Sequence, residues 1–302
     1  MRVFITGAMG FVGSAVIQEL LSAGHQVLGL ARNEQAAGAL ARLGVKVHRG
    51  ELTDTGSLAA GANACDGVIH TAFVHDFSKY EENAEVDHRA VTAIADALAG
   101  SDKPFVATSV VTLLAPGRIG TEEDGRADPA IPRAASEAAV LGAADRGIRS
   151  SVVRLPFSVH GQGDRGFVPA LIDLARRKGV AAYVGDGSNR WPAVNRLDAA
   201  RLFCLAMEKA VSATALHAVA EEGVAMRAIA EAIGAGLGSP LRSIAPEAAG
   251  EHFEWLGRFV AVDQPISSTL TREWMGWQPQ GNGLLTDLRE SGYFSGERRS
   301  KY

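Results

Sequence analysis

Cysteine is scarce in this 302-residue chain, with only Cys65 and Cys204, and the two lie far apart in no metal-type spacing. That usage suits a reducing cytoplasm. No apolar run reaches the length that spans a bilayer, so no membrane partner is expected. No basic stripe stands out and the formal net charge is −4, which argues against nucleic acid as a partner. There is no internal repeat and no low-complexity segment. The first predicted strand begins at residue 2 and leaves no room for a signal peptide, so a soluble intracellular protein is expected. What the chain does have is apolar content, 47% of it, enough for one large domain or two unequal ones.

The most informative stretch is the start, Arg2-Val3-Phe4-Ile5-Thr6-Gly7-Ala8-Met9-Gly10-Phe11-Val12-Gly13. A β-branched apolar run ends in three glycines spaced three apart and continues as a helical sequence. Strand, glycine turn and helix N-terminus in that order build an anion site from backbone alone, of the size of a dinucleotide pyrophosphate. Gly7 permits the tight turn, Gly10 removes a Cβ that would block the phosphates, and Gly13 lets the helix approach the strand. Thr6, Met9, Phe11 and Val12 complete this stretch as cofactor-binding residues.

The second predicted strand, Gln26–Leu30, runs into Ala31-Arg32-Asn33. A site for NAD usually carries a carboxylate here, on the ribose 2′-OH. Arg32 instead suits the 2′-phosphate of NADP(H), because a guanidinium clamps a phosphate bidentately. The remaining first half alternates short apolar strands with helices, with strands at 45–48, 67–70, 104–108 and 150–154 and a long helix over 82–98. That rhythm predicts an α/β fold, a doubly wound parallel sheet with ligands at the strands' C-terminal ends. From Leu155 onward the rhythm breaks at Pro156 and a series of glycines. A dinucleotide-binding domain is expected over 1–155, with 192–220 returning to it. Residues 156–191 and 221–302 form a smaller, mostly helical substrate lobe, ending in a polar tail from Gly296.

Four segments resemble the extended short-chain dehydrogenase/reductases, a family that includes nucleotide-sugar epimerases and dihydroflavonol-type reductases. They are Thr6-Gly7-x-x-Gly10-x-x-Gly13, His70-Thr71-Ala72-Phe73, Arg154-Leu155-Pro156-Phe157-Ser158-Val159-His160-Gly161, and Gly185-Asp186-Gly187-Ser188-Asn189-Arg190-Trp191 running on to Asp198-Ala199-Ala200. The resemblance spans about residues 1–290. It implies a Rossmann-like domain with a C-terminal substrate lobe, and often a homodimer. It also implies that Glu51 and Leu52 contact adenine, that Thr71, Ala72 and Phe73 pass along the nicotinamide ribose, and that Pro156, Phe157 and Ser158 line the nicotinamide.

The chain departs from the family pattern where the chemistry normally sits. Aligning Ser136-Glu137 with the family's usual Ala-Glu puts Arg133 at the catalytic lysine and Pro129 at the catalytic tyrosine. An arginine keeps its charge and cannot shuttle a proton, although Arg133 can still hydrogen-bond the nicotinamide ribose. The family serine falls at about Val110, with Ser109 or Thr112 as neighbouring substitutes, and the usual asparagine of the long helix is Asp87. The pattern is that of an atypical subgroup. Replacement proton donors are sought at Ser109, His160 (the family's frequent cleft-facing tyrosine position), His75 beside the expected substrate, and Tyr183. Trp191, with Phe73, Phe157 and the loop from Leu114 to Pro132, points to an apolar cleft under a flexible cover. His75-Asp76 has a metal-like spacing without a second pair to support it, so no metal is expected.

The leading expectation is an NADP(H)-dependent oxidoreductase that moves hydride between nicotinamide and a small or medium carbonyl/alcohol substrate. A regulatory binder that senses NADP(H) without catalysis is one alternative, and an NAD(P)-dependent epimerase or dehydratase another.

Overall fold

The first strand, β1 (Arg2–Thr6), is covered on both sides. Val3 and Ile5 enter one apolar cluster while Phe4 enters another on the opposite face. The computed structural model describes residues 1–125, 131–209 and 211–295; Pro129 and the polar tail lie outside them. From β1 the chain alternates helix and strand through α1 (Phe11–Ser22), β2 (Gln26–Ala31), α2 (Glu34–Arg42), β3 (Lys46–Arg49), α3 (Thr55–Asn63) and β4 (Gly67–His70). It continues through α4 (Tyr80–Leu98), β5 (Pro104–Val110), α5 (Ala134–Gly142), β6 (Arg149–Leu155), β7 (Ser158–His160) and α6 (Phe167–Lys178). Next come β8 (Ala181–Val184), β9 (Arg190–Asn195), α7 (Arg196–Lys209), β10 (Thr214–His217), β11 (Glu221–Ala225) and α8 (Met226–Leu237). Then follow β12 (Leu241–Ile244), α9 (Ala249–Phe253), α10 (Gly257–Val260), α11 (Thr269–Met275) and α12 (Leu284–Glu290).

Seven strands form one parallel sheet in the order β10-β6-β5-β4-β1-β2-β3. The order reverses between β1 and β4, and that switch point opens a crevice at the strands' carboxyl ends. Helices α1 and α7 pack together on one face and α3 and α4 on the other. This is the Rossmann-like arrangement, and it places the ends of β1, β4 and β5 side by side.

Three departures from the sequence expectation, beyond shifts of one residue at strand ends, shape the molecule. The long helix starts at Tyr80 rather than residue 82, because Asp76 accepts from the Ser78 amide (3.1 Å) and starts a short 3₁₀ turn that leads into it. Strand β5 runs on to Val110, since its pairing with β6 continues through Ser109 opposite Arg154 and Val110 opposite Leu155. Where mostly helix was expected after Leu155, two small sheets form, β11-β9-β7 and β12-β8. Those pairings join segments distant in sequence, which local periodicity does not report. The segment after β5 is fastened to residues 263–271. Gly117 N donates to Asp263 O (2.8 Å), Ser267 N to Gly120 O (2.8 Å) and Thr271 N to Glu122 Oε1 (2.7 Å).

Candidate functional site

The glycine turn closes against the strand beside it. Gly7 has φ +67°, and a Cβ there would stand 2.6 Å from Ala72 N. A Cβ on Gly13 would stand 2.2 Å from Gly7 O, so the turn and the first helical turn fit only as bare backbone. Thr71 Oγ1 donates to Thr6 O (2.8 Å), which ties the end of β4 to the end of β1. The cap of α1 is Gly10, with no side-chain acceptor and no acidic residue in the first turn. The helix's first amides and its positive end therefore face the crevice without a protein anion to neutralise them. This cradle fits a dinucleotide pyrophosphate. Thr6 is fully buried, Phe11 and Val12 are half-buried, and Met9 is 44% exposed at the rim.

Arg32 follows β2 at the adenosine end of the crevice. It is exposed and makes no hydrogen bond or ion pair with any described residue. Asn33, one residue on, caps α2 by accepting from Ala36 N (2.8 Å), so the helix start does not depend on Arg32. After β3, Leu52 is half-buried and Glu51 is exposed, where it accepts from Thr53 Oγ1 (2.9 Å).

A linked set of polar side chains lies where β4 and β5 end. His70 Nδ1 is 2.9 Å from Thr6 Oγ1, and its Nε2 is 3.1 Å from Asp87 Oδ1. Asp87 Oδ2 is 3.6 Å from Arg133 Nη2, and Arg133 also donates to Thr108 O (3.1 Å). Burial opposes a charge on Asp87, yet the His70 hydrogen bond and the Arg133 charge outweigh it and hold the carboxyl below its ordinary value. Arg133 is 7% exposed, and its guanidinium sits 4.3 Å from the centre of the Phe73 ring. Phe73 meets His75 edge-on at 5.4 Å and Tyr80 at 6.2 Å. His75 Nδ1 bonds the Phe73 carbonyl (3.1 Å). Although its surface reaches solvent, the surrounding protein and then the Arg133 charge lower the His75 pKa. Tyr80 is half-buried. Burial raises its pKa, Arg133 and Arg258 counteract that, and Asp87 adds to it.

The structure moves other expected residues away from this cluster. Ser109 is buried, and its hydroxyl donates to Glu137 Oε2. Glu137 is in turn gripped by Arg154 through Nη2 (2.6 Å) and Nε (3.1 Å), and Arg154 Nη1 lies 3.2 Å from His217 Nε2. The Ser109 hydroxyl is thus committed to a buried ion pair, which corrects its assignment as a proton donor. His160 does not face the cleft. It is fully buried, with Nδ1 2.6 Å from Asp287 Oδ2, a carboxylate also held by Asn195 (3.0 Å). Tyr183, on β8, packs under the Gly187 turn with Arg227 above its ring and is 9% exposed, so it does not line the site. Trp191 is fully buried, donates to Phe259 O (3.2 Å), and is core rather than substrate wall.

Phe157 stacks on Trp191 at 5.0 Å, between buried Pro156 and buried Ser158, whose Oγ has no partner among the described residues. Thr112 lies half-buried just beyond β5.

Sequence reasoning missed Tyr80, Arg258 and the role of His70. Tyr80 carried one usable signal, being a tyrosine within ten residues of the β4 end. Arg258 carried none, because its charge acts on Tyr80 from α10, far along the chain.

A family model described as the NAD dependent epimerase/dehydratase family matches residues 3–219. The chain belongs to that family, whose fold is that of the extended short-chain dehydrogenase/reductases. An uncharacterised protein of Schizosaccharomyces pombe is 48% identical over 295 residues, covering 97% of this chain and 100% of its own. A 2-alkyl-3-oxoalkanoate reductase of Stenotrophomonas maltophilia is 31% identical over 202 residues, 63% of this chain and 60% of its own. Among solved structures, the dTDP-glucose 4,6-dehydratase DesIV of Streptomyces venezuelae, with NAD bound, superposes at a TM-score of 0.76 and 18% identity over 96% of each chain. No helix among the described residues is long and apolar enough to cross a membrane.

Proposed function

We propose that the protein is an NADP(H)-dependent reductase that interconverts a carbonyl compound and its alcohol at the end of β4. The observation that carries this reading is the buried Arg133, held by Asp87 and Thr108 O and turned over Phe73 beside the glycine cradle. Gly7, Gly10 and Gly13 would hold the pyrophosphate, Arg32 the 2′-phosphate, Glu51 and Leu52 the adenine, and Thr71, Phe73, Pro156 and Phe157 the nicotinamide end. When bound, the dinucleotide supplies or takes the hydride.

The chain's own residues handle the oxygen. Arg133, 7% exposed, sets a permanent positive charge where negative charge develops on the carbonyl oxygen. It cannot give that oxygen a proton, because a guanidinium stays charged. Tyr80 is protonated, since burial raises its pKa, and gives that proton to the alkoxide oxygen, regaining one from water. His75 is neutral near pH 7, because its pKa is lowered. With Nδ1 donating to the Phe73 carbonyl, its Nε2 is left as an acceptor that orients the water. His70 and Asp87 position Arg133. Ser109, His160, Tyr183 and Trp191 have no part in this scheme.

NADPH oxidation followed at 340 nm against a panel of ketones and aldehydes tests the reading. Turnover by the wild type, reduced about 10²-fold in Tyr80→Phe, is the expected result. NADPH binding without turnover of any carbonyl would refute it. That second outcome is what an NADP(H)-sensing binder predicts, a reading favoured by Pro129 at the family's tyrosine position.

A further inference from the structure

The first residue of α7 is an arginine whose side chain runs back to the start of α1. Asn195 fixes the helix start, accepting from Leu197 N (2.9 Å) while its own amide holds Asp287 (3.0 Å). The stem of Arg196 passes Gly161, where a Cβ would stand 3.5 Å from Arg196 Cγ and 3.8 Å from its Cδ. The guanidinium ends 5.2 Å from the centre of the Phe11 ring. Phe11 follows Gly10 and opens α1, so this charge stands one side chain away from the amides of the glycine cradle.

Arg227 and Arg272 also lie over rings, those of Tyr183 and Trp277, and each holds an acceptor as well. Arg227 binds Glu231 (2.9 Å), and Arg272 binds Ala220 O (3.0 Å). Arg196 is half-buried, yet it makes no hydrogen bond or ion pair with any described residue. The carboxylates joined to its own stretch are taken. Asp198 accepts from Gln280 N and Gly281 N, both at 2.8 Å, and Asp287 binds His160 and Asn195. A partly desolvated cation beside the positive end of a helix is unfavourable for the protein alone. An anion placed between the two reverses the sign of both interactions.

We propose that Arg196 is a cofactor-binding residue, which clamps the dinucleotide pyrophosphate together with the first amides of α1. The proposal rests on the dinucleotide reading of the cradle and needs nothing from the hydride step. A planar fork of N–H donors matches two phosphate oxygens at once, and the face of Phe11 orients its plane. The 2′-phosphate is left to Arg32, which follows a different strand.

The test is calorimetric titration of two ligands, NADPH and 2′-AMP, the second carrying the 2′-phosphate without a pyrophosphate. The proteins are wild type, Arg196→Gln, Arg196→Lys, Arg32→Ser and Arg201→Gln. Arg201 is exposed on the same helix, and its loss changes the net charge equally. Arg196→Gln should weaken NADPH about tenfold or more and leave 2′-AMP within about twofold of wild type. Arg196→Lys, a point charge without the fork, should recover part of the loss. Arg32→Ser should weaken both ligands, and Arg201→Gln neither. Unchanged NADPH affinity in Arg196→Gln overturns the proposal. So does an equal loss for 2′-AMP, which would mean a disturbed fold, or an equal loss in Arg201→Gln, which would mean a net-charge effect. Should Arg196→Gln fail to fold, Arg196→Lys decides: NADPH weakened several-fold with 2′-AMP unchanged supports the clamp, and no change overturns it. If wild type takes up neither NADPH nor NADP⁺, the proposal falls with the dinucleotide reading. If NADPH binds and no carbonyl turns over, the hydride reading falls alone and the Arg196 result stands.

Discussion

In the cradle, one contiguous stretch from Thr6 to Gly13 supplies nearly everything, and what it supplies is main chain. The reacting end draws Phe73 and His75 from the loop after β4, Tyr80 and Asp87 from α4, and Arg133 from the start of α5. The first half of the site tolerates almost no added atom, because a Cβ on Gly13 meets backbone at 2.2 Å. The second half is set by charges and rings that touch across long sequence separations. Backbone sites are fixed by local geometry, whereas side-chain sites exist only once the lobes have packed.

The sharpest way to separate the halves is Arg133→Met. It should lower kcat/KM by about 10²–10³, the effect of losing one preorganised partner for a developing oxyanion, while leaving calorimetric NADPH affinity within a few-fold. The same variant should raise the His75 pKa towards its ordinary value, since it removes one of the two causes of depression. Titration of the imidazole by NMR would read that shift, and no upward movement would place Arg133 too far away to matter.

Gly13→Ala strikes the other half. Its Cβ has only backbone to push against, and overpacking of about 1–3 kcal/mol should weaken NADPH binding about tenfold or more. An unchanged dissociation constant would mean that the turn opens freely. A smaller effect belongs to Arg32→Ser, which should cut the preference for NADPH over NADH by about tenfold, measured as the ratio of kcat/KM values. A ratio that stays put would assign the 2′-phosphate to other residues.

The smallest effect lies outside both halves. Burial raises the Asp164 pKa to about 6, against hydrogen bonds from Gly166 N (2.7 Å) and Tyr293 OH (2.9 Å). A carboxyl raised in the native state adds stability that is complete below its unfolded value and lost as pH rises through about 6. Asp164→Asn should therefore gain on wild type above pH 6, by about 1–3 kcal/mol at pH 7.5. Urea midpoints at pH 4.5 and 7.5 would show it, and a difference independent of pH would contradict the assignment.

The parallel sheet and the cradle were legible because their signals are local. Thr6 to Gly13 announces a turn that only glycines can make, and the β-branched runs announce covered strands. The positions of Arg133 and Phe73 at the strand ends were legible too, from the rhythm and the family resemblance. The partners were not. His160 reads as a cleft residue until Asp287, 127 positions later, takes its Nδ1. Ser109 reads as a replacement proton donor until Glu137 draws it into an ion pair. Trp191 reads as a wall until Phe157 covers it. In each case the deciding contact is made by a residue whose approach depends on tertiary packing, which single-sequence periodicity does not encode.

The hydrogen bonds that join residues 117–122 to residues 263–271 tie the loop after β5 to the segment leading into α11. Mutations that loosen this seam should let that loop drift as a unit without touching a single reacting group.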